Sequence, residues 1–404
     1  MKIKGSLYCG IVWMISNLTF AQTWIPSSAP SNDWTSVSSS ADGSVLVAAA
    51  GVDNDGDGLI YISTNSGLDW TQTSAPTNSW TAVASSADGR KLIAAANAVS
   101  NLIFISTNAG LDWSAASAPS DAWQSVASSS DGRTLLAAAD SDLIYYSTNS
   151  GADWNPGDGP VSSWNSIACS ANGVITVAAN GSRVWLSRDS GATWTQADLP
   201  TQFWESVASS ADGTKLFATA FMGAFGGNST IVLTGISTNA GASWITNNNF
   251  GANIIVSSAN GNTLTSVIDT GAPGTGTYSS SNMGTTWIQE TDLWGIVACS
   301  ADGGKLVLGT LAYSQGFGGS TAIVPGPIYI SQTITSPSIN VTSDNGNITL
   351  SWLVPSTNFV LQQSDNLESW SALTNQPALN LTNLNNEVTL PTTNGNGYYR
   401  LATP

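Results

Sequence analysis

Carboxylates are the side chains in this sequence best suited to acid–base chemistry, because it contains no histidine. That absence disfavours Ser-His triads and most catalytic zinc sites. A glycosidase needs two carboxyl groups roughly 5 to 9.5 Å apart. Glu205 lies beside Trp204, and Glu290 and Asp292 precede Trp294. We place these acids near the mouth of the fold, in repeat units that do not adjoin. A carbohydrate-active enzyme is therefore the alternative, and the sequence favours a protein without catalysis.

A second acidic group lies in the run from Asp53 to Gly58, which reads Asp-Asn-Asp-Gly-Asp-Gly. Asp53, Asp55 and Asp57, with a glycine at position six, match the opening of a twelve-residue calcium loop. Position twelve is Thr64, where such a loop has a bidentate glutamate. Calcium would then bind weakly, with a Kd on the order of 10⁻⁴ to 10⁻³ M. Calcium is the one cofactor that the sequence suggests, and a solvated acidic hairpin is the other interpretation.

Tryptophans that recur at one position of a repeat form the third group of candidates. Indole faces around a channel mouth could stack on sugar rings, with Glu205 as a polar neighbour. The same period would arise if each indole only packed between neighbouring structural units. Both interpretations are open for these residues, which are Trp34, Trp80, Trp123, Trp164, Trp204 and Trp294.

These candidates are carried by a repeat of about 40 to 50 residues, the range of β-propeller blades. In residues 80–113, the alternating strand Trp80–Ser86 is followed by a turn and by a second strand at Lys91–Ala96. A third strand at Leu102–Ser106, a tight turn and a fourth strand opening at Trp113 complete the unit. Alternating apolar residues between Gly, Asn and Asp turns predict a four-stranded meander.

The first turn of the unit predicts the number of blades. The seventh unit lacks its fourth strand, but Trp24 lies ten residues before Trp34, as Trp70 lies ten before Trp80. We therefore expect an all-β fold, a seven-bladed β-propeller closed by its N-terminal strand, because closure removes exposed sheet edges. The turn recurs with a glycine at seven positions, which are Gly43, Gly89, Gly132, Gly173, Gly213, Gly261 and Gly303.

The second turn recurs six times with the pattern Ser-x-Asn/Asp-x-Gly-x-x-Trp. Asn or Asp accepts hydrogen bonds from nearby amides, glycine takes a positive φ, and tryptophan covers the turn. We expect these residues to be structural. They are Ser63, Asn65, Gly67, Trp70, Ser106, Asn108, Gly110, Trp113, Ser147, Asn149, Gly151, Trp154, Ser187, Asp189, Gly191, Trp194, Ser237, Asn239, Gly241, Trp244, Ser280, Asn282, Gly284 and Trp287.

This pattern resembles the Asp-box, or BNR, repeat of sialidases, sortilin-like receptors and photosystem II assembly factors. The resemblance covers residues 22 to about 334 and implies that the boxes lie on the face away from the ligand. Sialidases clamp a carboxylate with three arginines. Here Arg90, Arg133 and Arg188 fall at the turns, on the wrong face, so sialidase activity is disfavoured.

Three loops break the period and are expected on the face opposite the boxes: Gly51–Gly58, Phe221–Thr230 and Leu311–Pro327. Function on repeat scaffolds usually resides in such loops. Glycine-rich loops suit adaptable binding, and tolerated surface insertion is the other interpretation.

The two ends of the chain predict a secreted protein of two domains. Residues 1–21 carry Lys2 and Lys4 before an apolar run, the order of a cleavable signal peptide. The mature chain would then have 8 basic and 26 acidic residues, a formal charge of −18, which argues against nucleic acid as a partner. No later apolar run is long enough to span a membrane. The propeller is expected over 22–334, and residues 335–404 resemble a fibronectin-III-like β-sandwich.

The sequence therefore predicts a secreted or cell-surface, monomeric interaction protein. Its ligand, an extracellular glycan or protein, is expected on the propeller face opposite the boxes.

Overall fold

The computed structural model describes residues 23–51, 58–97, 102–222, 231–269, 274–315, 321–333, 337–344, 347–354, 359–365, 367–391 and 398–402. Within these ranges every regular element is a strand. The predicted signal peptide and the acidic residues Asp53, Asp55 and Asp57 lie outside the described residues. The part of the chain that the structure covers holds no helix long and apolar enough for a membrane span.

Twenty-eight strands build the first domain. They are β1 (Trp24–Pro26), β2 (Trp34–Ser39), β3 (Leu46–Ala50), β4 (Ile60–Ser63), β5 (Thr71–Gln72), β6 (Trp80–Ser85), β7 (Leu92–Ala96), β8 (Ile103–Ser106), β9 (Ser114–Ala115), β10 (Trp123–Ser128), β11 (Leu135–Ala139), β12 (Ile144–Ser147), β13 (Asn155–Pro156), β14 (Ser166–Cys169), β15 (Thr176–Ala179), β16 (Val184–Ser187), β17 (Thr195–Gln196), β18 (Trp204–Ser209), β19 (Leu216–Met222), β20 (Ile231–Ser237), β21 (Ile245–Asn247), β22 (Ile254–Ser257), β23 (Leu264–Ile268), β24 (Gly276–Ser280), β25 (Ile288–Thr291), β26 (Gly295–Cys299), β27 (Lys305–Gln315) and β28 (Thr321–Gln332).

The strands pair into seven antiparallel, four-stranded sheets. Six sheets use four consecutive strands, beginning with β2–β5, and the seventh has the order β1-β28-β27-β26. Each innermost strand contacts the next one, and β26 contacts β2. The sheets are therefore the blades of a closed propeller, which confirms the predicted fold class. We number the blades 1 to 7 from β2 onwards.

The seam between blades 7 and 1 is closed by the N-terminal strand, as predicted. Trp24–Pro26 pairs residue by residue with Tyr329–Ser331 of β28. Lys305 Nζ of blade 7 donates to Gly43 O and Ser66 Oγ of blade 1, at 3.2 and 2.8 Å. Because β1 pairs with this part of β28, it covers what would otherwise be an open outer edge of blade 7.

Seven backbone hydrogen bonds form one closed circle round the propeller axis at the first turns. Each amide donates to the carbonyl of the equivalent residue in the next blade, at N···O distances of 2.7 or 2.8 Å. The circle satisfies one donor and one acceptor per blade without any side chain. Its members are Ala41, Ala87, Ser130, Ala171, Ala211, Ala259 and Ala301.

Both kinds of turn lie on the same face, which we call the turn face. The second turn of blade 1 bonds to its first turn, since the Ser66 amide donates to Ser44 O at 2.9 Å. The links between blades and the turns between second and third strands lie on the opposite face, which we call the loop face.

The C-terminal domain has seven further strands. They are β29 (Asn340–Asp344), β30 (Asn347–Leu353), β31 (Val360–Ser364), β32 (Ser371–Ala372), β33 (Ala378–Asn380), β34 (Asn385–Pro391) and β35 (Tyr398–Ala402). They form a sheet of order β29-β30-β34-β33 and a sheet of order β32-β31-β35. Leu350, Trp352, Leu361, Val388 and Leu390 are buried together between them, so the domain is a small β-sandwich, as predicted.

The period-breaking segment in blade 7 is a hairpin, whereas the sequence predicts a loop. β27 and β28 continue to pair for five residues beyond the blade, from Leu311 with Pro325 to Gln315 with Thr321. In blade 5, β19 and β20 pair as far as Met222 with Ile231. Residues 223–230 and most of the Gly51–Gly58 segment lie outside the described residues.

Candidate functional site

Five of the six recurring tryptophans are fully covered by protein. Trp34 and Trp164 are 1% exposed, and Trp80, Trp123 and Trp204 are 0% exposed. Each lies between two blades, and Trp34 packs against residues of blades 7 and 1. No face of these indoles is open to a ligand in this structure, and their positions are those of the packing interpretation.

Hydrogen bonds hold these indoles in place as well. Trp34 Nε1 donates to Gly326 O at 2.8 Å, and Trp164 Nε1 donates to Asp142 O at 3.0 Å. The first three rings also meet an aromatic side chain of the same blade edge to face, for example Trp80 on Phe104 at 5.4 Å. Such contacts add to the free energy gained by burying the rings.

Blade 6 has no tryptophan at this position, and Phe250 takes its place. Phe250 is 8% exposed, stacks on Trp287 at 4.0 Å and meets Tyr278 at 5.6 Å. The equivalent residue by sequence is Ala252, two positions later. Sequence spacing missed the replacement because the link before blade 6 carries the aromatic ring early.

Trp294, the sixth candidate, is half-buried and packs beside Val267 and Leu308 at the junction of blades 6 and 7. Glu205 lies at the junction of blades 5 and 6, where Asn253 Nδ2 donates to its Oε2 at 3.4 Å. Burial raises the pKa of Glu205. The structure thus places both candidates on the loop face, on either side of blade 6.

In other blades, the residue at the position of Glu205 forms a hydrogen bond to the next blade. Thr35 Oγ1 donates to the carbonyl of Trp80 at 2.7 Å, and Asn165 Nδ2 donates to the carbonyl of Trp204 at 3.1 Å. The residue after three of these tryptophans, Thr35, Thr81 or Asn165, therefore bridges to the next blade. Glu205 also bridges to the next blade, but as the acceptor of a hydrogen bond from the Asn253 side chain.

Glu290 does not lie at the mouth, and its blade adjoins that of Glu205, both contrary to the sequence analysis. It belongs to β25, the outermost strand of blade 6, and accepts a hydrogen bond from Ser279 Oγ. Asp292 Oδ1 accepts from Gln289 Nε2 at 2.9 Å. The outer strand extends further than its spacing indicates, and it carries Glu290 to the rim.

Reasoning from the sequence missed a carboxyl pair on the loop face of blade 3. Asp121 lies in the link before Trp123, and Asp142 lies in the turn between β11 and β12. Burial and a hydrogen bond with Asp142 raise the pKa of Asp121. Burial and these two carboxylates also raise the pKa of Tyr145. Topology could have found the pair, because links and these turns meet on the loop face. No group of three or more potential metal ligands occurs in the described ranges.

The six second turns are built by the side chains of their own motif. Ser63 Oγ accepts from the Gly67 amide at 2.8 Å, and Asn65 Oδ1 accepts from the Asp69 amide at 2.9 Å. Both bonds recur in the other five turns. The residue before the glycine, Ser66 in the first turn, also has a positive φ, of 65°. The motif's acceptor oxygens are thus engaged within each turn.

A cavity of about 170 Å³ lies on the axis beside the circle of backbone hydrogen bonds. The two cysteines within the described residues, Cys169 and Cys299, are free thiols. Burial raises the pKa of each to about 12, so thiolate is scarce at neutral pH. The cavity wall includes the last residue of every inner strand: Ser39, Ser85, Ser128, Cys169, Ser209, Ser257 and Cys299.

The C-terminal domain covers the turn-face end of this axis. Leu353, Val354 and Leu384 pack against alanines of the hydrogen-bonded circle, and Leu384 lines the cavity. Ser130 Oγ donates to the Leu381 carbonyl. The chain itself therefore occupies the centre of the turn face.

The loop face is shaped by the two extended hairpins. The hairpins of blades 5 and 7 stand on either side of blade 6, whose β23 and β24 stop at Ile268 and Gly276. Glu205 lies at the junction of blades 5 and 6, and Trp294 lies at the junction of blades 6 and 7. This part of the loop face, which we call the blade 6 region, is the candidate functional site.

Comparison with known proteins finds related folds only. No protein family matches the sequence, and no curated protein matches it either. Among solved structures, the YCF48 protein bound to D1 peptide is 12% identical, with a TM-score of 0.54 over 78% of this chain and 98% of that one. A chain in the mitotic checkpoint complex is 12% identical, with a TM-score of 0.58 over 83% of this chain and 100% of that one.

A GH74 xyloglucanase from Xanthomonas campestris is 15% identical, with a TM-score of 0.52 over 65% of this chain. The present chain spans about half of that enzyme, 48% of its length. Identities this low show the β-propeller fold and nothing finer.

Proposed function

We propose that this chain is a secreted, non-catalytic interaction protein that binds an extracellular protein or glycan on the loop face. The observation that carries the proposal is the contrast between its two faces. The C-terminal domain occupies the centre of the turn face through Leu384 and Val354. On the loop face, the paired strands of blades 5 and 7 extend on either side of the blade 6 region.

Three further features belong to this proposal. The second turns are Asp-box, or BNR, repeats with a structural role, and the C-terminal sandwich is a fibronectin-III-like accessory module. Asp53, Asp55 and Asp57 would hold a weakly bound calcium ion beside the loop face of blade 1.

A glycosidase is less well supported. Glu205 and Asp292 each accept a hydrogen bond from a neighbouring amide side chain, and Glu290 lies at the rim. The compared structures of this fold include a xyloglucanase and a YCF48 protein bound to D1 peptide, so fold alone favours neither function.

The test is a screen of the mature chain against glycan and extracellular-protein arrays in millimolar calcium. Two variants separate the faces. In the loop-face variant, residues 311–325 are replaced by Asp-Ser, the sequence at Asp140–Ser141 in the equivalent turn of blade 3. In the turn-face variant, Leu68→Glu is combined with Leu111→Glu at residues 66% and 73% exposed. We expect a reproducible ligand to be lost in the first and kept in the second, and the reverse result would overturn the proposal.

A further inference from the structure

The blade 7 hairpin has a strand edge that extends past the innermost strand of its blade. β26 pairs with β27 only as far as Gly295 with Thr310. From Leu311 to Gln315, β28 is the only described strand that pairs with β27. Among the described strands, the other edge of β27 therefore has no partner over five residues, a length of about 17 Å at roughly 3.4 Å per residue.

Short length or a charge marks the outermost strands of the other blades and the five-residue edge strands of the C-terminal domain. The outermost strands β5, β9, β13 and β17 have two residues each, β21 has three and β25 has four. Of the five-residue edge strands in the C-terminal domain, β29 ends in the charged Asp344 and β35 contains Arg400. Short length and charge are the usual devices that prevent an edge from pairing with another chain.

The blade 7 hairpin uses neither device on its β27 edge. The sequence from Leu306 to Gln332 contains no charged residue, and Leu311–Gln315 contains no proline. The edge of β28 differs, since Pro325 ends it at the base of the hairpin. β27 thus offers a neutral, proline-free edge of five residues.

The location of this edge agrees with the proposed binding face. β27 lies between β26, the innermost strand, and β28, so its free edge is on the side of the propeller axis. A strand added there would continue the position of β26 beyond the loop face, beside the blade 6 region.

We propose that the β27 edge, Leu311–Gln315, binds an extended peptide segment of a partner protein by β-strand addition. The inference rests on the proposed function and names the partner as a protein. In this mode backbone hydrogen bonds supply affinity. The matching segment is about five residues long, uncharged and rich in β-branched or aromatic residues. A second copy of the chain is disfavoured as the occupant, because a net charge of −16 opposes self-association.

The experiment selects peptides from a displayed library of random heptapeptides on the mature chain. A charged variant combines Tyr313→Lys with Ile323→Glu, since these residues are cross-strand partners and opposite charges keep the hairpin paired. Its matched control combines Tyr313→Thr with Ile323→Thr. We expect enriched peptides to be neutral and β-forming, to bind the control, and to bind the charged variant at least tenfold more weakly.

The inference would be overturned if the peptides bound the charged variant and its control equally. It would also be overturned if the mature chain enriched no peptides beyond those enriched by the Asp-Ser truncation. Sedimentation of the mature chain as a dimer that the charged variant abolishes would also overturn it, in favour of self-pairing. The two proposals can be told apart. A ligand that is lost in the Asp-Ser truncation but binds the charged variant and its control equally would support binding on the loop face. The same result would overturn strand addition at the β27 edge.

Discussion

At the scale of single residues, the recurring tryptophans show why period alone did not decide between two roles. A repeat places Trp123 at a blade junction in either case, and only its 0% exposure shows that packing uses the whole ring. The motif spacing did identify the second turns, because their hydrogen bonds join residues two to four positions apart. Asp121 and Asp142 meet only through the fold, so their pairing could not be read from spacing.

Trp123→Ala should lower the free energy of unfolding by about 3–5 kcal/mol, the range for deleting a buried aromatic ring. Trp294→Ala is the matched control. Because this ring is only half-buried, its removal should lower the free energy of unfolding by less than half as much. Denaturant unfolding of both variants measures the difference. Equal costs would show that the two rings have the same role.

Glu205→Gln should stabilise the protein at neutral pH, by at most about 1 kcal/mol because solvent screens the site. Burial raises the folded-state pKa of Glu205 above its ordinary value of 4.5. The free-energy penalty of burying the charged carboxylate is therefore absent below the unfolded-state pKa, and it appears as the pH rises through the folded-state pKa. Gln124 already occupies this position in blade 3. Thermal unfolding at pH 3.5 and pH 7 tests the expectation, and an advantage of equal size at both pH values would contradict it.

At the scale of elements, strand order and ring closure followed from the sequence because each blade repeats the same apolar alternation and turn residues. The hairpin of blade 7 did not follow, since Gly, Ser and Thr between Leu311 and Pro327 are also typical of loops. Pairing along β27 and β28 depends on the neighbouring strand, which local propensity does not describe.

Deleting residues 22–26 should open the ring at the seam of blades 7 and 1. The deletion removes the partner of Tyr329–Ser331 and exposes a long β28 edge. We expect lower thermal stability and rapid proteolysis within blade 7, measured by scanning calorimetry and limited trypsin or chymotrypsin digestion. Ile25→Thr, at a residue 56% exposed, is the control and should change stability by less than about 0.5 kcal/mol. A deletion variant as stable as this control would mean that β1 does not close the ring.

At the scale of the whole molecule, the C-terminal sandwich is part of the propeller's architecture as well as a separate domain. The sequence predicts its strands but no contact with the axis, because Leu384 and the alanine circle are far apart in the chain. Their packing divides the molecule into an occupied turn face and an accessible loop face.

Leu384→Asp should detach the sandwich from the propeller, because a carboxylate would face the apolar alanines of the circle. Calorimetry should then resolve two transitions, whereas we expect one for the native chain. Alkylation of Cys169 and Cys299 at pH 8 should become at least tenfold faster as the cavity opens. Val341→Ala, at a residue 62% exposed, should change neither property. Unchanged alkylation in the Leu384→Asp variant would show that the sandwich does not cover the cavity.

Amide hydrogen exchange of the full mature chain, with and without the ligand that the array screen identifies, tests the central claim most directly. We expect bound ligand to slow exchange at Leu311–Gln315 and elsewhere on the loop face, with second-turn amides such as those of Gly67 and Asp69 unchanged. Protection of the second turns with an unchanged loop face would contradict the account.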